Sequence, residues 1–203
     1  MIKFVHPSNF LVAASSQSGK TEFVLQLVQH SQTLFEPRPE KIIWVYSIFQ
    51  EAYKRLRDVE FTDSLPTADS FTGEQRILLV LDDLMHDVGP SIEQLFTKGS
   101  HHKNLSVVYI TQNLFAAKQR TLSLNWHYLI LFKNVRDASQ IGVLARQMYP
   151  NKKECLHFLE AYKDATSAKY GYLLVDLRPE TEDKFRLRTN VLPYQDTFVY
   201  VPK

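Results

Sequence analysis

Three groups of residues in this chain have the types and spacing to act on phosphate. The first is Ala13-Ala-Ser-Ser-Gln-Ser-Gly-Lys-Thr21. Small residues let the successive backbone N–H groups of Ser15, Ser16, Gln17, Ser18 and Gly19 converge into an anion nest, and a helix beginning there adds the positive end of its dipole. From position 20 a lysine ammonium reaches the β- and γ-phosphates of a nucleotide, and the Thr21 hydroxyl ligates Mg²⁺. The spacing is that of G-x-x-x-x-G-K-[ST], with Ala14 where the first glycine belongs. If that position needs positive φ, alanine costs roughly 1–2 kcal/mol. The competing account is a serine-rich turn that merely caps a helix.

The second group is Asp82-Asp83, which follows the apolar run Ile77-Leu-Leu-Val-Leu81. Paired carboxylates at a strand end can divide two tasks. Asp82 is placed to hold Mg²⁺, and Asp83 to orient and deprotonate an attacking water. Two exposed turn aspartates are the bland alternative. The third is Gln112, just past the apolar run Val107-Val-Tyr-Ile110, where an amide can read a γ-phosphate or position water. A polar residue that simply ends a strand is its alternative.

These groups need a scaffold that brings three strand ends together. Phe10–Ala14 is a short apolar run entering the serine-rich turn, and Thr21–His30 has apolar residues at 23, 24, 27 and 28, a helical spacing. Pro37 and Pro39 close that helical region. Ile42–Tyr46, Ile77–Leu81, Val107–Ile110 and His127–Phe132 read as buried strands. Phe49–Arg57 and Ser91–Lys98 read as short helices, and 58–76 as loop with one short strand. Asp137 is the expected N-cap of a helix reaching Met148. A second helix over 152–163 places Leu156, Leu159 and Tyr162 on its apolar face. Tyr170–Leu177, Phe185–Thr189 and Thr197–Val201 are strand-like. Strands alternating with helices predict an α/β fold whose sheet is mostly parallel in the first half. Ligands of such sheets bind beyond the carboxyl ends of the strands, where all three polar groups fall.

The bulk numbers bound the partners. The 203 residues suit one domain, 1–203, and 44% hydrophobic with 23% charged residues predicts a packed core. A net charge of +2 gives no global pull on nucleic acid, so any such contact needs a local patch. The single cysteine, Cys155, excludes an internal disulfide and a cysteine-rich zinc site, and reads as core. His101-His102 point to different sides and have no third ligand nearby, so an interface or phosphate contact fits them better than a metal. Trp44 and Tyr46 read as sheet packing. No apolar run approaches the ~20 residues of a membrane helix, and the start, MIKFVHPSNF, has no h-region. The expectation is a soluble, intracellular chain.

Several stretches together resemble the FtsK/HerA superfamily of P-loop ATPases, and within it the poxvirus-type genome-packaging ATPases of large DNA viruses and Polinton (Maverick) elements. They are SSQSGKTEFV, KIIWVYSIFQEAY, ILLVLDDLM, LFTKGSHHKNLSVVYITQNLF, TLSLNWHYLILFKNVRDASQIGVLARQMYP and RLRTNVLPYQDTFVYVPK. The resemblance implies a three-layer, RecA/ASCE-like P-loop fold with a mostly parallel central sheet flanked by helices and further strands at its C-terminal end. It implies ATP and Mg²⁺ as ligands, double-stranded DNA as cargo, a pentameric or hexameric ring, and a capsid or portal-vertex partner. Many superfamily members carry glutamate where this chain has Asp83. A ring motor completes each site with an arginine from the neighbouring subunit, and the candidates are Arg120 and Arg136. Lys98, Lys103, Lys118 and Arg120 are alternatively pore-lining contacts to DNA phosphates. Other readings are a different DNA motor (helicase or pump), a small-molecule kinase, and a nucleotide-binding scaffold without hydrolysis. The kinase lacks a separate arginine-rich lid segment here.

Overall fold

The computed structural model describes residues 3–84, 90–99, 103–112, 114, 125–135 and 138–202. One nine-stranded sheet runs through it. Its strands are β2 (Asn9–Ala13), β4 (Lys41–Tyr46), β5 (Glu60–Thr62), β6 (Ile77–Asp82), β7 (Leu105–Thr111), β8 (Tyr128–Phe132), β9 (Tyr172–Asp176), β10 (Leu187–Thr189) and β11 (Phe198–Val199). Their spatial order is β5-β4-β6-β7-β2-β8-β9-β10-β11. From β5 to β8 every pairing is parallel, and β9, β10 and β11 are added antiparallel. The expected mixed α/β architecture, parallel first and with extra strands late, is therefore present. Two short strands not anticipated, β1 (Phe4–Val5) and β3 (Phe35–Glu36), pair with each other beside the main sheet.

The central strands are continuous apolar runs because both faces of the sheet are covered. Alternate residues divide between two cores. Leu11, Val45, Leu79, Val107, Leu129 and Leu173 pack in one. Their neighbours Val12, Trp44, Val80, Val108, Ile130 and Leu174 pack in the other. The first core is closed by α4 (Ala138–Met148) and α5 (Lys152–Ala165) through Ile141, Ala145, Phe158 and Ala161. Phe96 joins it from a π-helical turn, Leu95–Gly99, that continues the short helix α3 (Pro90–Gln94). The second core is closed by α1 (Lys20–Gln29), through Phe23, Val24, Leu27 and Val28, and by Leu34 of the short α2 (Ser31–Leu34).

Two local expectations change. Phe49–Arg57 forms only a 3₁₀ turn, Glu51–Arg55, because its one buried residue, Tyr53, anchors it to a cluster of rings. On α5 the buried residues are Phe158, Ala161 and Ala165, while Leu156 faces solvent at 54% exposure. The apolar stripe is thus rotated from the expected one, with Cys155, Leu159 and Tyr162 half-buried along its flank. The Asn151 side chain caps α5 by accepting from the Lys153 N–H at 2.9 Å. The expected Asp137 cap of α4 lies outside the described residues.

Candidate functional site

The strand register aligns three carboxyl ends. Ala13 of β2 is opposite Thr111 of β7, and Asp82 of β6 is opposite Ile110. Because β7 lies between β2 and β6, Gln112 emerges between loop 14–19 and the carboxylates. Ala14 is buried, its N–H donates to the Thr111 carbonyl at 3.1 Å, and its φ is negative. The missing first glycine therefore costs no left-handed strain. The left-handed conformations fall instead at Gln17, with φ 63, and at Gly19, with φ 99, which a glycine adopts without steric cost. Gly19 is needed for a second reason, since a Cβ there would stand 3.0 Å from Tyr170 Cδ1.

The loop is drawn tight from inside. The Ser15 carbonyl accepts the Ser18 hydroxyl at 2.7 Å and the Lys20 ammonium at 3.4 Å. The Ser16 hydroxyl donates to Gln112 Oε1 at 3.3 Å, which ties the loop to the end of β7. Gly19 is the N-cap of α1 and brings no side-chain oxygen to it. The helix's leading N–H groups are thus left to another acceptor. The segment Ser15–Thr21 forms one wall of a cleft of about 1330 Å³.

Charge is concentrated at the same edge. Asp82 is 4% exposed, and its Oδ2 accepts from the Tyr53 hydroxyl at 2.8 Å. Burial pushes the Asp82 carboxyl above the usual carboxylate range; the Tyr53 hydrogen bond opposes this, neighbouring Asp83 adds to it, and Lys20 opposes it. Burial and the Asp82 charge hold the Tyr53 phenol protonated far above its ordinary range. Lys20 sits below the ordinary lysine value, chiefly through burial, with Asp83 and then Asp82 pulling it back up. One ammonium thus feels both carboxylates. Asp83 is exposed and left-handed at φ 55, a conformation that asparagine and aspartate tolerate better than longer side chains.

The structure brings together Ser15, Ser16, Gln17, Ser18, Gly19, Lys20, Thr21, Asp82, Asp83 and Gln112. Arg120, Arg136, Lys118, His101 and His102 lie outside the described residues. Lys103 precedes β7, at the sheet edge opposite Gln112. Sequence reasoning missed Tyr53, whose signal is only an aromatic in a weak helical pattern. It also missed Tyr170, whose signal is a Tyr-Gly pair just before an apolar strand. Among the described residues no three His, Cys, Asp or Glu side chains gather as a metal cage. The arrangement suits a cation that takes one or two carboxylates and draws its other ligands from phosphate and water, the habit of Mg²⁺.

No protein-family signature matches the chain, and no curated protein matches it. Among solved structures it is similar to the genome packaging NTPase B204 from Sulfolobus turreted icosahedral virus 2, in complex with ATP-gammaS. The TM-score is 0.55 at 12% identity, covering 97% of this chain and 98% of that one. At that identity the likeness establishes a shared fold over the whole length. Among the described residues no helix is long and apolar enough to cross a membrane.

Proposed function

We propose that the chain is an ATP-hydrolysing motor that drives double-stranded DNA into a capsid, acting as a ring of identical subunits, as its sequence resemblance to the packaging ATPases implies. The observation that carries the reading is the convergence at one sheet edge of a lysine, two carboxylates and an amide around a helix N-terminus that has no side-chain cap. The fold shared with a packaging NTPase supports it.

In this reading loop 14–19 and the start of α1 hold the triphosphate by backbone N–H groups, and Lys20 leaves the Ser15 carbonyl to neutralise the β- and γ-phosphates. Thr21 and Asp82 would hold Mg²⁺, which would supply charge neutralisation for the triphosphate. Asp83, exposed beside them, takes the proton of a water whose oxygen bonds to the γ-phosphorus as the bridge to the β-phosphate breaks, leaving ADP and phosphate. Gln112 orients that water, and its bond to Ser16 couples loop and sensor. Arg120 or Arg136 completes the neighbour's site.

The test is ATP turnover with and without linear double-stranded DNA, alongside the mass of the assembly. DNA-stimulated hydrolysis by a ring, abolished in Lys20→Ala, is the expected result. Turnover by a monomer that requires a small-molecule acceptor would replace the motor by a kinase. ATP binding without hydrolysis in any assembly would leave a scaffold.

A further inference from the structure

The cleft beside Ser15–Thr21 is larger than a phosphate cradle needs. It runs on past Phe132, Lys133 and Val135 at the end of β8 to the connection 167–171 between α5 and β9. Tyr170 stands in that connection. It is 56% exposed, so core packing does not require an aromatic there. Its φ of 64 is left-handed, a conformation that is costly for a bulky residue and that persists only where the surroundings impose it.

The surroundings do impose it. Thr166 donates through its hydroxyl to the Tyr162 carbonyl at 2.7 Å, and the Ser167 and Gly171 N–H groups close the turn onto Asp164 and Ala168 at 3.0 Å each. Gly171 admits no side chain, since a Cβ there would meet the Ala165 carbonyl oxygen at 2.3 Å. A rigid turn therefore presents the Tyr170 ring to the cleft, with its inner edge against the Gly19 backbone. The Lys169 ammonium stands 4.8 Å from the ring centroid, on a flexible stem that can swing toward an anion. Val135, 79% exposed, offers a second apolar surface on the same cleft, and Gln195 an amide.

We infer that this half of the cleft is a nucleoside site, in which the Tyr170 ring is the platform on which the base stacks. The inference rests on the nucleotide reading of Ser15–Thr21 and extends it. A flat, exposed ring held rigid beside a phosphate cradle suits a heteroaromatic base joined to a triphosphate. Stacking of this kind tolerates any base, so the site selects for a nucleoside far more than for one particular nucleotide.

Calorimetric titration of the full chain with ATP and with inorganic tripolyphosphate tests it. The parent protein should bind ATP more tightly than tripolyphosphate. Tyr170→Ala should lose about 5- to 150-fold in ATP affinity, the range of one base–aromatic stack, and keep its tripolyphosphate affinity. Tyr170→Phe should bind ATP as the parent does. Equal losses for both ligands in Tyr170→Ala would overturn the nucleoside site and leave Tyr170 a support of the Gly19 turn. Equal parental affinities for ATP and tripolyphosphate would overturn it too, with the phosphate cradle intact. Failure of the parent to bind either would remove the nucleotide reading itself.

Discussion

Asp83 and Gly19 carry the sharpest consequences at the scale of single residues. Asp83→Asn keeps the shape and removes the proton acceptor. Hydrolysis should fall by about 10²–10⁴-fold while ATP still binds, measured by single-turnover kinetics beside calorimetry. A parental rate would move the base elsewhere. The left-handed φ of 55 also favours a short side chain at this position. Asp83→Glu should fold less stably than the parent, because the longer side chain gains nothing locally in that conformation. At Gly19 the positive φ of 99 and the 3.0 Å approach of Tyr170 act together. Gly19→Ala should lose about 1–2 kcal/mol in urea unfolding and weaken ATP binding. Unchanged stability would mean that the loop relaxes out of the left-handed form.

At the scale of elements, short pieces of backbone hold the buried polar groups. The 3₁₀ turn Glu51–Arg55 exists to bring the Tyr53 hydroxyl to Asp82, and it is fixed by stacking of Tyr53 on Phe61 and contact with Trp44. Tyr53→Phe leaves a buried carboxylate short of a donor. Stability should fall by about 1–3 kcal/mol, and the Mg²⁺ concentration needed for half-maximal hydrolysis should change. Retention of both would show that Asp82 is held by its strand alone.

The segment before β2 is pinned in a similar way. His6 Nε2 donates to the Asn104 carbonyl at 3.0 Å, so His6 Nδ1 accepts from the Ser106 hydroxyl at 2.7 Å, whose oxygen accepts the Ser8 N–H. All partners are satisfied by a neutral ring. Burial holds its pKa below the ordinary histidine value; the Asn104 bond opposes this, Arg76 adds to it, and Glu40 opposes it. The unfolded chain therefore takes up this proton first. The stability from neutral His6 is complete above the ordinary value of 6.5 and is lost as pH falls from there through the lower folded value. Urea midpoints for the parent should drop between pH 7.5 and 5.5 more than those of His6→Gln. Parallel curves would exclude His6 as the source.

For the whole molecule the open question is how a site at the sheet edge is finished. Ser15–Thr21 line a cleft open to solvent, and Asp82, Asp83 and Gln112 stand at the same sheet edge. Arg120 follows Gln112 by eight positions in the sequence. Subunits carrying Arg120→Ala keep their own Lys20 and Asp83, while Lys20→Ala subunits keep Arg120. Mixed on DNA, they should regain activity that neither has alone, because an intact loop then faces an intact arginine. Complementation by Arg136→Ala instead would move the finger there. If neither pair recovers activity, the shared-site arrangement fails.

The residues of the proposed phosphate site are legible in the sequence because they are local. Gly19-Lys20-Thr21 and Asp82-Asp83 each sit within a few residues of the strand that presents them, and apolar runs mark those strands without tertiary information. Alternation of strands and helices likewise announced a parallel sheet. Lateral order carries no such local mark. Nothing in the chain's order says that β7, formed after β6, inserts between β6 and β2, yet that insertion puts Gln112 against Ser16. Backbone conformation was equally hidden. Only the folded loop shows that Ala14 needs no glycine and that Gln17 and Asp83 take the left-handed turns. Tyr53 and Tyr170 reach the site from 29 residues before Asp82 and from a turn packed on Gly19. Contacts across such separations come from the packing of whole layers, which the pattern of any single segment does not contain.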